Sequence, residues 1–208
     1  MSIEVKRLVV GVIVANCYLV YSSGDKEAVV IDPGAEGEKI LATAEELGLK
    51  LRYIINTHGH ADHIGANGYI KERTGADILV HQADAPMLVL ADQNLSAWMP
   101  QPVMSPAADK LLTANEEICC GELSFKVLAT PGHTPGSISL FTPGMVFTGD
   151  ALFKGSVGRT DFPGGSFTEL IAGIRNNLFT LPTDTIVYPG HGPATTIGYE
   201  KAHNTFFK

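Results

Sequence analysis

Short runs rich in Val, Ile and Leu, bounded by Gly, Pro, Asp or Ser, predict strands along both halves of this chain. In the first half they fall at residues 8–14, 17–21, 27–31, 51–56 and 78–80, with Ser23-Gly24-Asp25 as a hairpin turn. In the second half they fall at 123–129, 137–141, 145–148 and 185–188. A different spacing marks the helices. Ile40, Leu41, Ala44 and Leu47 recur at helical intervals over 38–47, and Gly48 closes that segment. Further helices are predicted over 65–74, stopped by Gly75, and over 167–179. The middle, 84–109, is broken by Pro86, Pro100, Pro102 and Pro106 and reads as a lid or a long surface crossing.

The second half repeats the logic of the first, and strand after strand ends in a His or Asp beside a Gly. Two β-rich halves with flanking helices predict an α/β fold, a four-layer α/β/β/α sandwich, with a site at the edge where strand ends meet. The 208 residues suit one domain spanning 1–208, and 45% apolar residues suffice for its core. The net charge of −7, without a basic run, argues against nucleic acid or an anionic membrane as partner. No apolar run approaches the ~18 residues of a membrane span. The first residues lack the pattern of a signal peptide. Cys17, Cys119 and Cys120 form no disulfide or Cys-x-x-Cys pattern and read as reduced core or near-core thiols, so a cytoplasmic location is expected.

The chemistry concentrates in Thr57-His58-Gly59-His60-Ala61-Asp62-His63. In an extended segment His58, His60 and Asp62 lean one way and His63 the other, so one loop at a strand end can serve two neighbouring metal ions. His133 in Pro131-Gly132-His133-Thr134-Pro135-Gly136, Asp150 after Gly149, and His191 in Pro189-Gly190-His191-Gly192 complete seven candidate ligands. Imidazoles and carboxylates without thiolate suit zinc, iron or manganese. Seven ligands are too many for one ion. Shared between two they leave room for water, and Asp150, with two oxygens, is the natural bridge. Asp32 is expected behind the ligands, holding a histidine N–H. His81 and His203 have no ligand-like spacing and read as structural.

These motifs resemble the metallo-β-lactamase superfamily over nearly the whole chain. The resemblance implies that His58, His60 and His133 hold one metal, that Asp62, His63 and His191 hold the other, and that Asp150 bridges them. Within that superfamily the chain resembles short bacterial glyoxalase II-type hydroxyacylglutathione hydrolases. Leu152-Phe153-Lys154-Gly155-Ser156-Val157-Gly158-Arg159-Thr160-Asp161-Phe162-Pro163 and the run from Gly190 through Asn204 carry this likeness. Longer members add a helical C-terminal domain that helps bind glutathione; none is expected here. The usual Asn-Pro of the subgroup reads Asn204-Thr205, a departure expected to affect only the terminus.

The resemblance implies a thioester hydrolase with two divalent ions, zinc foremost and iron or manganese as alternatives. Its small-molecule substrate would be S-D-lactoylglutathione or a related hydroxyacyl thioester. A hydroxide bridging the metals would attack the carbonyl, with Asp62 and Asp150 as the catalytic carboxylates and Asp62 orienting the nucleophile. A thiolate leaves without a strong general acid, and none is evident near the motifs, which favours thioesters over amides. Arg159, and with it Lys154, is expected to bind the thiol-side carboxylate. The chief alternative is a persulfide dioxygenase, which shares Gly158-Arg159-Thr160-Asp161-Phe162 but uses one iron on His58, His133 and Asp150. A non-catalytic metal-binding protein is the third reading.

Overall fold

The computed structural model describes residues 2–208. One mixed sheet takes its strands in chain order: β1 (Ile3–Val10), β2 (Ala15–Ser22), β3 (Glu27–Ile31), β4 (Lys50–Ile55), β5 (Asp77–His81) and β6 (Lys110–Leu112). The β1–β2–β3 pairings are antiparallel and the β3–β4–β5–β6 pairings parallel. The second sheet comprises β7 (Glu117–Cys120), β8 (Leu123–Ala129), β9 (Ile138–Thr142), β10 (Met145–Gly149), β13 (Ile186–Pro189) and β14 (Thr195–Thr196), in the order β14-β13-β10-β9-β8-β7. A small hairpin, β11 (Leu152–Phe153) with β12 (Ser156–Val157), stands beside it.

Side chains alternate across a strand, so a strand buried on both faces feeds two cores. On β2, Cys17 and Leu19 face one side and Tyr18 and Val20 the other; on β5, Ile78 and Val80 oppose Leu79. The first set packs under α1 (Gly37–Glu46), α3 (Asn67–Thr74) and α4 (Ala85–Val89). The second set meets Phe125, Val127, Leu140 and Phe147 of the other sheet. A third core lies beneath α5 (Phe167–Gly173), its π-helical continuation Ile174–Leu178, and α6 (Ile197–His203). Three cores between four layers make an α/β/β/α sandwich, as the patterning predicts. Each fully buried Val, Ile, Leu or Phe in them contributes about 1.5–3 kcal/mol of transfer free energy.

The structure departs from the sequence reading in several places. β1 runs over Ile3–Val10, and the apolar residues 12–14 form an exposed turn instead of continuing the strand. Gly11 at φ 69° and Val14 at φ 56° reverse the chain there. Elements β6, β7, α2 (Ala61–Ile64), α4 and α6 were not predicted; all are short or lie where helical spacing is weak. Cys119 is exposed, not near-core, whereas Cys17 and Cys120 are buried. The middle segment is pinned by buried Asn94, whose Nδ2 donates to the carbonyls of Met87 and Val103 at 3.0 and 2.9 Å. Among the described residues no helix is long and apolar enough to cross a membrane.

Candidate metal centre

All seven predicted ligands come from chain just beyond strand C-termini, on one edge of the sandwich. Past β4, the segment Asn56–His60 crosses toward the second sheet, and the Thr57 carbonyl accepts from Ile138 N at 2.9 Å. The single-turn helix α2 then carries Asp62 and His63. From the second sheet come His133 after β8, Asp150 after β10 and His191 after β13.

These side chains converge as two groups. One ligand atom each from His58, His60 and His133 lie within 4.8 Å of one another, as do atoms of Asp62, His63 and His191. The Asp150 carboxylate stands between them. Its Oδ1 is 3.5 Å from His63 Nε2, and its Oδ2 is 3.7 Å from His133 Nε2 and 3.5 Å from His191 Nε2. Gly190 permits this closeness, because a Cβ there would strike Asp150 Oδ1.

The donor set fits two divalent cations. Among the described residues, His58 Nε2, His63 Nε2 and Asp150 Oδ1 are buried with no hydrogen-bond partner. Each such atom costs about 1–3 kcal/mol unless something meets it, and His63 Nε2 and Asp150 Oδ1 lie 3.5 Å apart. The ligands are hard or borderline, nitrogen and oxygen only, and suit zinc, iron or manganese.

Surrounding groups set the imidazole tautomers. The Arg159 carbonyl lies 2.8 Å from His133 Nδ1, which must therefore carry the proton and leave Nε2 free as a ligand. Asp32 accepts from Thr57 N and from Thr57 Oγ1, both at 2.7 Å. With its proton given to Asp32, Thr57 Oγ1 accepts from His58 Nδ1 at 3.1 Å, which again frees Nε2. Asp32 Oδ2 also lies 3.1 Å from His63 Nδ1, close enough for an ion pair though outside linear hydrogen-bond geometry.

Electrostatics divides the groups in the metal-free protein. Burial, with the neighbouring imidazoles, holds His58 well below the usual histidine range and pushes His60 down to about 3, so both present lone pairs. Burial also opposes charge on His63, but Asp150, Asp62 and Asp32 overcome it and raise that imidazole to about 10. His191 is likewise raised against burial, by its hydrogen bond to Asp62 and by Asp150. Asp62 is held below the carboxylate range by His63 and His191, again against burial. Here protons neutralise a cluster of carboxylates that a metal cation would otherwise neutralise.

The cleft over the centre has a volume of about 650 Å³. Arg159 reaches it, but its guanidinium is doubly bonded to Asp161 at 2.8 and 2.7 Å and lies 4.0 Å over the Phe162 ring. Lys154 does not line this cleft; it faces a separate depression beside Tyr199. His81 and His203 belong to neither ligand group.

Two supporting residues escape the sequence reading. Thr57 relays Asp32 to His58, and its place directly before the first histidine was the available signal. Buried Asp84 accepts from Gly59 N, Gly136 N and Thr134 Oγ1 at 3.1, 2.7 and 2.6 Å, tying the His58–His60 loop to the His133 turn. Burial raises its carboxyl above the ordinary value despite those bonds. No periodicity or motif marks Asp84, because its partners are far away in the chain. The apolar cleft residues Ile13, Leu95, Met99 and Phe162 were equally invisible as a set.

Comparison with known proteins agrees with this geometry. The family model described as the metallo-beta-lactamase superfamily matches residues 10–191. The chain is 38% identical to the probable metallo-hydrolase YqgX of Bacillus subtilis, over 97% of this chain and 96% of the relative. It is 38% identical to the hydroxyacylglutathione hydrolase GloC of Haemophilus influenzae, over 92% of each chain. Among solved structures, the BLEG-1 B3 metallo-beta-lactamase superposes with TM-score 0.94 at 38% identity, covering 99% of this chain and 100% of that one. TTHA1623 in a di-iron-bound form gives 0.86 at 37%, covering 97% and 99%. ETHE1 from Myxococcus xanthus gives 0.82 at 36%, covering 97% and 83%.

Proposed function

This chain belongs to the metallo-beta-lactamase superfamily, and from that premise we propose that it is a metal-dependent thioester hydrolase. Its substrate in this reading is S-D-lactoylglutathione or a related small hydroxyacyl thioester, cleaved in the cytoplasm to an acid and a free thiol. The observation that carries it is the Asp150 carboxylate set between two complete three-residue ligand groups. The likeness to a protein named hydroxyacylglutathione hydrolase supports the thioester class.

His58, His60 and His133 would hold one ion, Asp62, His63 and His191 the other, with Asp150 shared and zinc the first candidate. Such ions lower the pKa of water to about 7 and polarise a carbonyl oxygen. The chain's own groups do the rest. Asp62 Oδ2, 3.2 Å from His191 Nε2, is placed to orient the attacking water and take its proton. Attack forms the new C–O bond; collapse breaks the C–S bond, and the electron pair leaves on sulfur as a thiolate. With a thiol pKa near ~8.5 that departure needs no general acid. Arg159, half of a neutral pair with Asp161, is placed at the cleft wall to meet a carboxylate on the thiol half.

The test is release of thiol from S-D-lactoylglutathione by the zinc-loaded protein without oxygen. Asp150→Ala is expected to lose metal and at least ~100-fold in kcat/KM. A fully metallated and fully active variant would overturn the shared-carboxylate assignment. The second reading, an iron persulfide dioxygenase on His58, His133 and Asp150, is favoured by the likeness to ETHE1; the likeness to a di-iron-bound structure supports iron as a metal but at a two-ion centre. Oxygen uptake with glutathione persulfide and Fe(II), without thioester hydrolysis, would establish it instead.

A further inference from the structure

A smaller hollow of about 130 Å³ opens off the metal cleft at Asp62. Ile13, Ala61, Asp62 and Met99 line both spaces, so the two adjoin. Val10, Val12, Ala35 and Val103 form the rest of its side-chain wall. Among the described residues lining it, Asp62 is the one with a polar side chain, and it marks the metal end. The hollow therefore runs from the reaction centre outward, between the turn at 11–14 and the segment at 99–103.

That turn is unusual as a surface. Val12 is 99% exposed, Ile13 and Val14 are also exposed, and a β-branched residue stands at positive φ. Met99, which also lines the hollow, is exposed as well. Two apolar lips flanking an apolar trough mark a binding site more than a solvated surface.

We propose that this side groove seats the apolar end of the acyl group of the thioester, so that the preferred substrate carries an apolar chain longer than the methyl of a lactoyl group. The inference rests on the thioester reading and narrows its acyl half. The groove starts at the residue placed to orient the nucleophile, so a carbonyl at the centre directs its chain into it. Chemistry excludes the other half of a glutathione thioester. Its carboxylates and ammonium would lie against Val10, Ala35 and Val103 with no counter-charge there. The thiol half is left to the open side of the main cleft, by Arg159.

The test is a series of N-acetylcysteamine thioesters, acetyl to octanoyl, with the metal-loaded protein. Hydrolysis should rise about fourfold in kcat/KM per added methylene until the groove is filled. In Ala35→Leu, which fills the groove, and in Ile13→Ser, which opens it to water, the ratio of pentanoyl to acetyl kcat/KM should fall toward one. A binding series gives the same answer without turnover. S-(2-oxoalkyl) thioethers, which hold no scissile thioester bond, should bind the metal-free protein more tightly with chain length, read by the emission of Trp98, the single tryptophan. Hydrolysis of all members with a flat chain-length profile would overturn the groove assignment and leave the thioester reading standing. No hydrolysis of any member, nor of S-D-lactoylglutathione, would overturn both.

Discussion

Thr57 shows how much of a metal centre lies in residues that touch no metal. Its backbone N–H and hydroxyl both donate to Asp32, and its oxygen holds the ring of His58. Asp32 itself sits at φ 52°, a strained conformation for a side chain other than glycine. A Thr57→Val variant keeps the shape and removes the relay. It is expected to bind metal about 10–100-fold more weakly, measured by competition with a chromophoric chelator. An affinity equal to that of the parent would show that the His58 ring is held by packing alone. The ligands themselves could be read from the sequence, because His-x-His-x-Asp-His is local. Asp84 could not, since its acceptors' partners at Gly59, Thr134 and Gly136 are brought to it only by folding.

At the scale of elements, buried strands were legible because apolar runs bounded by turn residues are a local signal; β3 at Glu27–Ile31 lies where the run placed it. The Val12-Ile13-Val14 run carries the same signal and is a turn, because Gly11 and Val14 at positive φ send the chain back as β2. Helix α6 shows the opposite failure. Its Thr196 cap accepts from Tyr199 N, but its chief anchor is buried Glu200, which accepts from Thr195 Oγ1, Gly155 N and Asn204 Nδ2 at 2.6, 2.9 and 2.9 Å. Gly155 turns the β11–β12 hairpin whose Phe153 and Val157 wall the cleft. Glu200→Ala should therefore cost roughly 3 kcal/mol through unmet donors and raise hydrogen exchange across residues 152–157. Glu200→Gln, which keeps one acceptor oxygen, should recover part of both. Unaltered exchange in the hairpin would separate α6 from the cleft wall. Asn204 serves the same junction, its Nδ2 also donating to the Ser156 carbonyl at 3.0 Å, so its role reaches beyond the terminus.

In the whole molecule the metal centre is the seam between two sheets. His58, His60, Asp62 and His63 follow β4 of the first, and His133, Asp150 and His191 follow strands of the second. Metal bound there clamps the halves, and binding to the folded state alone stabilises it by about 2.7 kcal/mol at a hundredfold excess over Kd. Removing metal with a chelator should lower Tm by roughly 5–10 °C, read by calorimetry. An unchanged Tm would mean that the inter-sheet core around Phe125 and Phe147 holds the halves without help. The sequence by itself determined the layer architecture and the seven candidate ligands that the structure brings together, because strand alternation and ligand spacing are properties of neighbours along the chain. Only the tertiary structure decided that Arg159 is paired and Lys154 turned away, that Asp84 ties the His58–His60 loop to the His133 turn, and that an apolar groove opens at Asp62. Each of these depends on distances between residues far apart in sequence, which packing sets and no local pattern records.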